Sequence, residues 1–303
     1  MHLPVGPRAS LVLVATVFCL APASLSAQTA PSAEGPEAAT AQPASAQSFL
    51  PFIDSALADG RLQGAQDLIA RARALDDGAE IRLREAELLL ASGAVAQALA
   101  GFASLENDPL VGARAMVGKA IAELREGRDT HARAALDMAL ATDPALVRGW
   151  IIRGVLADRK RDWTASDASY GRAIALAPGS AIAFNNRGYA RLLQGRHAEA
   201  EADLARALEL DNSLAAATTN LRLARAMQGR YADAFLGSTR DALARDLNTV
   251  GFGAMSRGDY ALAESYFARA MEINGQFDHT AAANLAYLET IAPRKSRTQD
   301  PGK

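Results

Sequence analysis

The chain has 303 residues, of which half are apolar and 6% are aromatic, and its formal net charge is −2. Alanine dominates the apolar residues, and no stretch alternates in the way that strands do, so the composition predicts an all-α protein. A near-neutral protein of mixed charge lacks the basic face that nucleic acid requires, which excludes nucleic acid as a partner.

Residues 1–27 are predicted to be a signal peptide. Arg8 precedes a ten-residue apolar core, Leu11–Leu20, and small residues follow it. This core is shorter than the roughly 18 apolar residues of a membrane helix, and no later segment reaches that length. We expect cleavage after Ala27, with Ala23 as the alternative. The mature protein would then be exported to the bacterial periplasm without a transmembrane helix.

Cys19 is the only cysteine of the sequence and lies inside the predicted signal peptide. A lipoprotein signal has a small residue before its cysteine and usually leucine at −3, whereas this protein has Phe18 and Thr16. The pattern favours an incidental apolar residue over a lipid anchor. Membrane contact, and with it outer-membrane association, is expected only if Cys19 is lipidated. Removal of the signal leaves no thiol, disulfide or cysteine-based metal site.

Two polar segments flank the central part of the sequence. Residues 28–45 are mainly Ala, Pro, Ser and Gln without an apolar period, and residues 293–303 are polar with two prolines. Such segments bury too little apolar surface to offset their ordering entropy, so we predict a disordered linker and a disordered tail. Residues 46–292 remain for the folded domain.

Glycine recurs at a fixed interval in this central part. Gly93, Gly127, Gly195 and Gly229 are 34 or 68 residues apart, and the missing position in the series is Arg161. A constant period of this size indicates a solenoid, whose units stack because none can fold alone. We predict about seven helix–turn–helix units and a capping helix near 278–292, the units being 46–78, 79–112, 113–146, 147–180, 181–214, 215–243 and 244–277. The second helix of unit 215–243 is about five residues short.

The units resemble the tetratricopeptide repeat (TPR). Unit 147–180 matches its pattern with Trp150, Gly154, Tyr170, Ala173 and Pro178, although Arg161 and Ser166 replace the usual glycine and alanine. Unit 244–277 matches with Gly251, Gly258, Tyr260, Ala263, Phe267 and Ala270. The resemblance implies a right-handed TPR superhelix, an α-solenoid, over roughly 46–290. It also implies that small residues lie where helices cross closely, as at Gly154, Gly188 and Gly251.

The segments 185–211, 220–234 and 248–274 resemble the TadD-like TPR proteins of tight-adherence (Tad/Flp) pilus assembly. That resemblance implies a location in the cell envelope and a role in assembling the pilus secretion machinery. The alternatives are a general periplasmic TPR scaffold and an accessory subunit of an envelope enzyme complex.

The first helix of each TPR unit lines the concave groove, so exposed residues there are candidate contacts for protein or peptide segments. By alignment these candidates are Arg148, Asn185, Asn186, Tyr189, Asn220, Asn248, Phe252 and Met255. A ladder of asparagine amides could bind the backbone of an extended peptide. Alternatively, the asparagines bond to the neighbouring helix and fix the stacking of repeats, which is the interpretation we favour. The groove lacks the lysine and arginine set of TPR domains that clamp acidic C-terminal peptides.

The residues predict no enzyme, no cofactor and no metal site. His131, His197 and His279 are far apart in sequence and lack metal-ligand spacing. Gly251-Phe252-Gly253 opens like a dinucleotide fingerprint, but Ser256 occupies the place of the third glycine and no strand precedes it. We therefore expect a non-enzymatic interaction scaffold.

Overall fold

The computed structural model describes residues 45–273 and 279–292. The predicted signal peptide, Cys19, nearly all of the predicted linker and the predicted tail lie outside the described residues. Among the described residues no helix is long and apolar enough to span a membrane.

The described residues are all-helical, and their helices form the pairs that the glycine period predicts. A 3₁₀ turn, Ala46–Phe49, is followed by fifteen α-helices and no strand in the described ranges: α1 Leu50–Ala58, α2 Leu62–Arg73, α3 Ala79–Ala91, α4 Val95–Leu105, α5 Gly112–Arg125, α6 Asp129–Thr142, α7 Val147–Arg159, α8 Trp163–Leu176, α9 Ala181–Leu193, α10 His197–Leu210, α11 Ala215–Met227, α12 Tyr231–Ala234, α13 Leu243–Arg257, α14 Tyr260–Ile273 and α15 His279–Ile291. Seven pairs and a final helix thus confirm the predicted all-α helical repeat.

The protein divides into two compact units, which we call the N-terminal unit (described from residue 45 to 183) and the C-terminal unit (described from 184). In the N-terminal unit each helix packs against the next, and first helices also pack against each other, as α3 does with α5 and α5 with α7. In the C-terminal unit α11 packs against α13, and α15 packs against α13 and α14. First helices therefore lie side by side within each unit.

Helices of one pair cross closely at a small residue, as the TPR resemblance implies. A Cβ atom added to Gly154 would lie 2.6 Å from the Tyr170 ring, and one added to Gly188 would lie 2.7 Å from Leu204. Gly251 has the same relation to Phe267, at 2.7 Å. Real Cβ atoms do not approach other heavy atoms this closely, so any larger side chain at these positions forces the helices apart.

Aspartates stop the second helices of several pairs. The side chains of Asp108, Asp143 and Asp211 each accept a hydrogen bond of 2.9 Å from the backbone N–H two residues further on. This local bond offers the backbone an alternative to continuing the helix, and proline follows two of the three aspartates. The backbone consequently turns and starts the next first helix.

The sixth pair, α11 and α12, has no small residue at the position where the helices of other pairs cross. Arg222 stands 34 residues after Gly188, and Ser238 stands 34 residues after Leu204. The second helix, α12, is only four residues long. Arg222, 6% exposed, occupies this shortened pair and forms an ion pair of 3.3 Å with Asp246, 1% exposed. The Ser238 hydroxyl also donates to Asp246.

The large aromatic side chains of the repeats differ in burial. Tyr170 and Phe267 are fully buried, whereas Trp150 and Trp163 are half-buried. The Trp150 indole N–H donates to the Pro144 carbonyl over 2.9 Å, so this ring keeps its polar edge bonded at the surface.

Arg161 lies two residues after the end of α7 and has the left-handed conformation that glycine adopts at the corresponding turns. Its φ is 57°, while Gly127 and Gly195 have φ values of 73° and 76°. For a residue other than glycine the left-handed conformation costs about 1–2 kcal/mol, and because the Arg161 side chain is exposed, packing offsets little of this cost.

We predict that Arg161→Gly raises the free energy of unfolding by about 1 kcal/mol, because the released strain exceeds the roughly 0.5–1 kcal/mol entropic cost of glycine. Urea unfolding followed by circular dichroism measures the change. The matched control is Gly127→Arg, whose added Cβ meets no atom within 4 Å, so that only backbone strain should destabilise it. Equal stability of Arg161→Gly and the unmodified protein would contradict the assignment of strain to this turn.

Candidate functional site

The eight residues predicted to contact a partner lie on first helices, but seven of them are buried. Arg148 lies on α7, three lie on α9, Asn220 lies on α11 and three lie on α13. The exposed fraction is zero for Asn185, Asn186 and Asn220. It is at most 7% for the other four, which are Asn248, Met255, Phe252 and Tyr189. Their expected exposure is therefore corrected: first helices pack so closely that these positions form the seam between them. Contact of these residues with a partner stays a prediction.

The asparagines bond to one another across neighbouring first helices. Asn220 Nδ2 donates to Asn185 Oδ1 over 3.0 Å, and Asn185 Nδ2 donates to Asn186 Oδ1 over 3.0 Å. The same link recurs further along, where Asn284 Nδ2 donates to Asn248 Oδ1 over 2.9 Å. Buried amides need such partners, and these bonds join α9 to α11 and α13 to α15. This geometry corresponds to the stacking role that we favoured over a peptide-binding ladder.

The register of the link differs from the alignment. The sequence places Asn186 and Asn220 at equivalent positions 34 residues apart, whereas the bond joins Asn185 to Asn220, 35 residues apart. The partner pair, Asn248 and Asn284, is 36 residues apart. Each bond thus runs diagonally, to a position one or two residues beyond the equivalent place on the neighbouring helix, which a strict period does not indicate.

The three apolar candidates of the C-terminal unit belong to its core. Tyr189, Phe252 and Met255 lie in one cluster of buried side chains with Leu204 and Phe267. In the N-terminal unit the positions that correspond to the asparagine link are also apolar. Val117 and Ile152, each 68 residues before Asn185 and Asn220, are buried in the same cluster. The two units therefore seal the same seam with different chemistry.

Arg148, the one candidate that is only half-buried, belongs to a set of charged residues on the N-terminal unit. Arg148 Nη1 donates to Glu87 Oε1 over 2.6 Å. We call this set the arginine face, and its members are Asp54, Glu80, Arg84, Glu87, Arg114, Arg125 and Arg148. All but Asp54, which lies on α1, are on α3, α5 or α7.

Ion pairs connect most of the arginine face. Arg84 Nε lies 3.0 Å from Asp54 Oδ1, and both Arg84 and Arg114 donate to Glu80. Burial raises the pKa of Glu80, but the guanidiniums of Arg114 and Arg84 outweigh it and hold that pKa below its ordinary value. Arg125 donates to the Leu90 carbonyl at the end of α3.

The sequence indicates the arginine face through the spacing of its charged residues. Glu80, Arg114 and Arg148 are spaced at 34 residues, and Arg125 is followed 34 residues later by Arg159. Charged residues in phase with a structural repeat lie at equivalent places on successive first helices. This spacing predicts a line of charge on one face.

One buried carboxyl has a strongly shifted pKa. Burial raises the pKa of Asp158, 4% exposed, to about 6, against the opposing effect of hydrogen bonds from Ser166 and Tyr170. The Tyr170 hydroxyl donates over 2.7 Å, and the two hydroxyls occupy both carboxyl oxygens. A raised pKa in a cleft indicates a catalytic group, but this carboxyl bonds α7 to α8 in the interior, which makes its role structural.

In the described part of the protein, no cluster of three or more His, Cys, Asp or Glu residues is placed to hold a metal ion.

Comparisons with known proteins identify the type of repeat. Residues 153–215 match the family model described as tetratricopeptide repeat. No curated protein matches the sequence.

Several solved structures resemble the fold. A protein of the APC/C Cut9–Hcn1 hetero-tetramer is 18% identical with a TM-score of 0.61, over 79% of this sequence and 48% of that protein. The present sequence thus spans about half the length of that relative. A tetratricopeptide repeat protein from Parabacteroides merdae is 12% identical with a TM-score of 0.51, over 80% and 98%. PilF of Pseudomonas aeruginosa is 20% identical with a TM-score of 0.51, over 70% and 98%. At these identities the similarities show the fold, a helical repeat of the tetratricopeptide type.

We predict that Asn220→Ala lowers the free energy of unfolding by about 1–3 kcal/mol, because it leaves the fully buried Asn185 amide without its donor. The matched control is Thr219→Ala on the same helix, because the half-buried Thr219 hydroxyl donates to the Ala215 carbonyl within its own helix. That control should change the free energy of unfolding by less than about 1 kcal/mol in thermal unfolding. An Asn220→Ala protein as stable as the unmodified one would refute a stacking role.

We also predict that Asp158 makes the protein less stable as the pH rises from about 4 to about 6. In this window the unfolded carboxyl loses its proton while the folded one keeps it, so stability declines by about 3 kcal/mol and stays low above pH 6. Asp158→Asn should remove this decline. The measurement is the difference between the urea unfolding free energies of the two proteins from pH 4 to 7.5. The other carboxyl groups are present in both proteins, so their contributions to the pH dependence cancel in this difference. A constant difference would contradict the raised pKa.

Proposed function

We propose that this protein is a non-enzymatic scaffold for protein–protein interactions in the bacterial cell envelope. The observation that carries this proposal is the packing of first helices against one another within each unit, α3 with α5, α5 with α7, and α11 with α13. Repeats stacked in this way create an extended surface from many helices, which suits the binding of protein segments rather than of small molecules. The half-buried charges of the arginine face lie on such first helices.

The proposed location rests on the start of the sequence. Arg8, the apolar core Leu11–Leu20 and the small residues up to Ala27 have the order of a secretory signal. We propose a periplasmic protein, since Phe18 and Thr16 do not fit a lipid attachment signal at Cys19.

Within the envelope we propose a role in Tad/Flp-type pilus assembly or secretion. Support comes from the segments 185–211, 220–234 and 248–274, which resemble the TadD-like proteins of that machinery. The similarity to PilF of Pseudomonas aeruginosa concerns the fold only.

The test is affinity purification of the full-length protein, tagged at its C-terminus, from native envelopes. We expect the tagged protein in the soluble periplasmic fraction and recovery of pilus secretion components identified by mass spectrometry. Cys19→Ser should leave the fractionation unchanged, because the protein is not lipidated.

Three outcomes would contradict separate parts of the proposal. Stable recovery of one enzyme at a fixed ratio, without pilus components, would indicate an accessory subunit. Recovery of other envelope proteins only would remove the pilus role and leave a general scaffold. Release of the protein from membranes by Cys19→Ser would establish a lipid anchor in its place.

A further inference from the structure

The pair α7–α8 has polar residues at three buried positions that the preceding pairs keep apolar. Asp158, Ser166 and Tyr170 are each at most 4% exposed. The residues 34 positions earlier, in α5–α6, are buried and apolar, and they are Leu124, Ala132 and Leu136. Those 68 positions earlier, in α3–α4, are Leu90, Ala98 and Phe102, which are buried as well. The polar residues are therefore a property of α7–α8 and not of the repeat.

The three polar side chains form one hydrogen-bonded group, which we call the Asp158 cluster. The Ser166 hydroxyl donates to Asp158 Oδ1, and the Tyr170 hydroxyl donates to Asp158 Oδ2 over 2.7 Å. Burial raises the pKa of Tyr170 well above its usual range, so this hydroxyl stays protonated while the carboxyl titrates. A hydroxyl can donate or accept, so the cluster stays hydrogen-bonded when Asp158 is protonated. Only the ionised carboxyl adds the cost of a buried charge.

Asp158 lies in the interior without a counter-ion. Among residues 45–273 and 279–292 no cationic side chain forms an ion pair with it. Its neighbour Arg159 pairs with Asp129 at the start of α6, at 3.0 Å, and Asp167 on α8 acts on it as a like charge. The charged groups at this end of α5 bond elsewhere, Glu123 to Arg128 and Arg125 to the Leu90 carbonyl. Burial therefore raises the pKa of Asp158 to about 6, against the opposing effect of the two hydroxyl bonds.

The strained turn lies at the same end of the pair. Arg161 follows Asp158 by three residues and has a φ of 57°, whereas Gly127 occupies the corresponding turn of α5–α6. Opening of this end would relieve the backbone strain and expose the carboxylate to water in one step. Segments open locally where opening requires less free energy than unfolding of the whole domain. The end of α7–α8 has two reasons to open that α5–α6 lacks.

We propose that this end of α7–α8, residues 158–170, is a pH-sensitive element that stays closed while Asp158 is protonated and opens locally once the carboxyl has lost its proton. Because α7 packs against α5, each opening interrupts the row of first helices in the N-terminal unit. The local opening concerns the fold alone. Its consequence for partner binding, a surface that is continuous in acid and intermittently broken at neutral pH, rests on the proposed scaffold function.

The direction of the pH effect follows from the two states of the carboxyl. In the opened segment Asp158 titrates near its ordinary value of 3.8, whereas in the closed pair its pKa is about 6. Between these values the opened form loses its proton first, so the open fraction increases with pH and levels off above pH 6. The equilibrium constant for opening should rise roughly fiftyfold from pH 4 to pH 7.

The experiment is amide hydrogen exchange of the full mature protein, followed by mass spectrometry of peptides from pH 4 to 8. Each exchange rate is divided by that of the same peptide without structure, which leaves the opening equilibrium. Peptides covering residues 157–171 should show the fiftyfold rise. Peptides covering residues 123–137, the same positions in α5–α6, are the internal comparison and should change less than about threefold.

Variants assign the effect to the Asp158 cluster. Asp158→Asn has no titrating group and should make the opening of residues 157–171 independent of pH. Ser166→Ala introduces the residue of α5–α6 and removes one bond to the ionised carboxyl, so the rise should continue beyond pH 6 before it levels off. The matched control is Ser169→Ala, because the Ser169 hydroxyl, 4% exposed, donates to the Ala165 carbonyl within α8. That control should still level off at about pH 6. Thermal unfolding verifies the fold of each variant.

Three results would overturn the inference. One is an equal pH dependence in both sets of peptides, which would mean that the domain opens as a whole. Another is a pH dependence that persists in Asp158→Asn, which would assign it to a different group. The third is a curve that levels off at the same pH in Ser166→Ala and Ser169→Ala. None of these results depends on a partner, so a failure of the scaffold function in the envelope purification leaves the exchange measurement decisive.

Discussion

The close crossing of the two helices in a pair is the constraint on which the rest of the structure depends. A side chain of any size at Gly154, Gly188 or Gly251 would collide with a large residue on the following helix. Only the combination of no side chain on one helix and a large one on the other permits this distance and fills the space. Because that pairing recurs in α7–α8, α9–α10 and α13–α14, these pairs cross in a similar way, and similar shapes can stack.

The sixth pair shows what happens when the constraint is removed. With α12 reduced to four residues, Ser238 stands at the place that Leu204 has in its repeat, and a glycine at the position of Arg222 is no longer required. An arginine there must be neutralised, because an isolated buried charge costs several kcal/mol, and Asp246 supplies the opposite charge. Replacing a steric contact by an ion pair keeps the seam closed where the repeat is incomplete.

The sequence predicted the elements of this fold better than its surfaces. The units found from glycine spacing coincide with helix pairs α1–α2 to α13–α14, since turn geometry and helix crossing are fixed by local residue types. Arg161 was found as the missing member of the series, and it adopts the same left-handed turn. Exposure could not be derived in this way, because the burial of Asn185 or Phe252 depends on the distance to a neighbouring first helix. The diagonal bond between Asn185 and Asn220 depends on the relative shift of two helices, which a periodic alignment leaves undefined.

The chemistry of the seam determines which residues remain for a partner. In the C-terminal unit the asparagines of first helices bond to one another through part of their amides, while Asn220 Oδ1 is buried without a hydrogen-bond partner. In the N-terminal unit Val117 and Ile152 close the equivalent seam without polar groups, and the charged residues of the arginine face lie at other positions of the same helices. Those charges are only partly satisfied within the unit. The two units thus close equivalent seams by different chemistry, amide hydrogen bonds in one and apolar packing in the other.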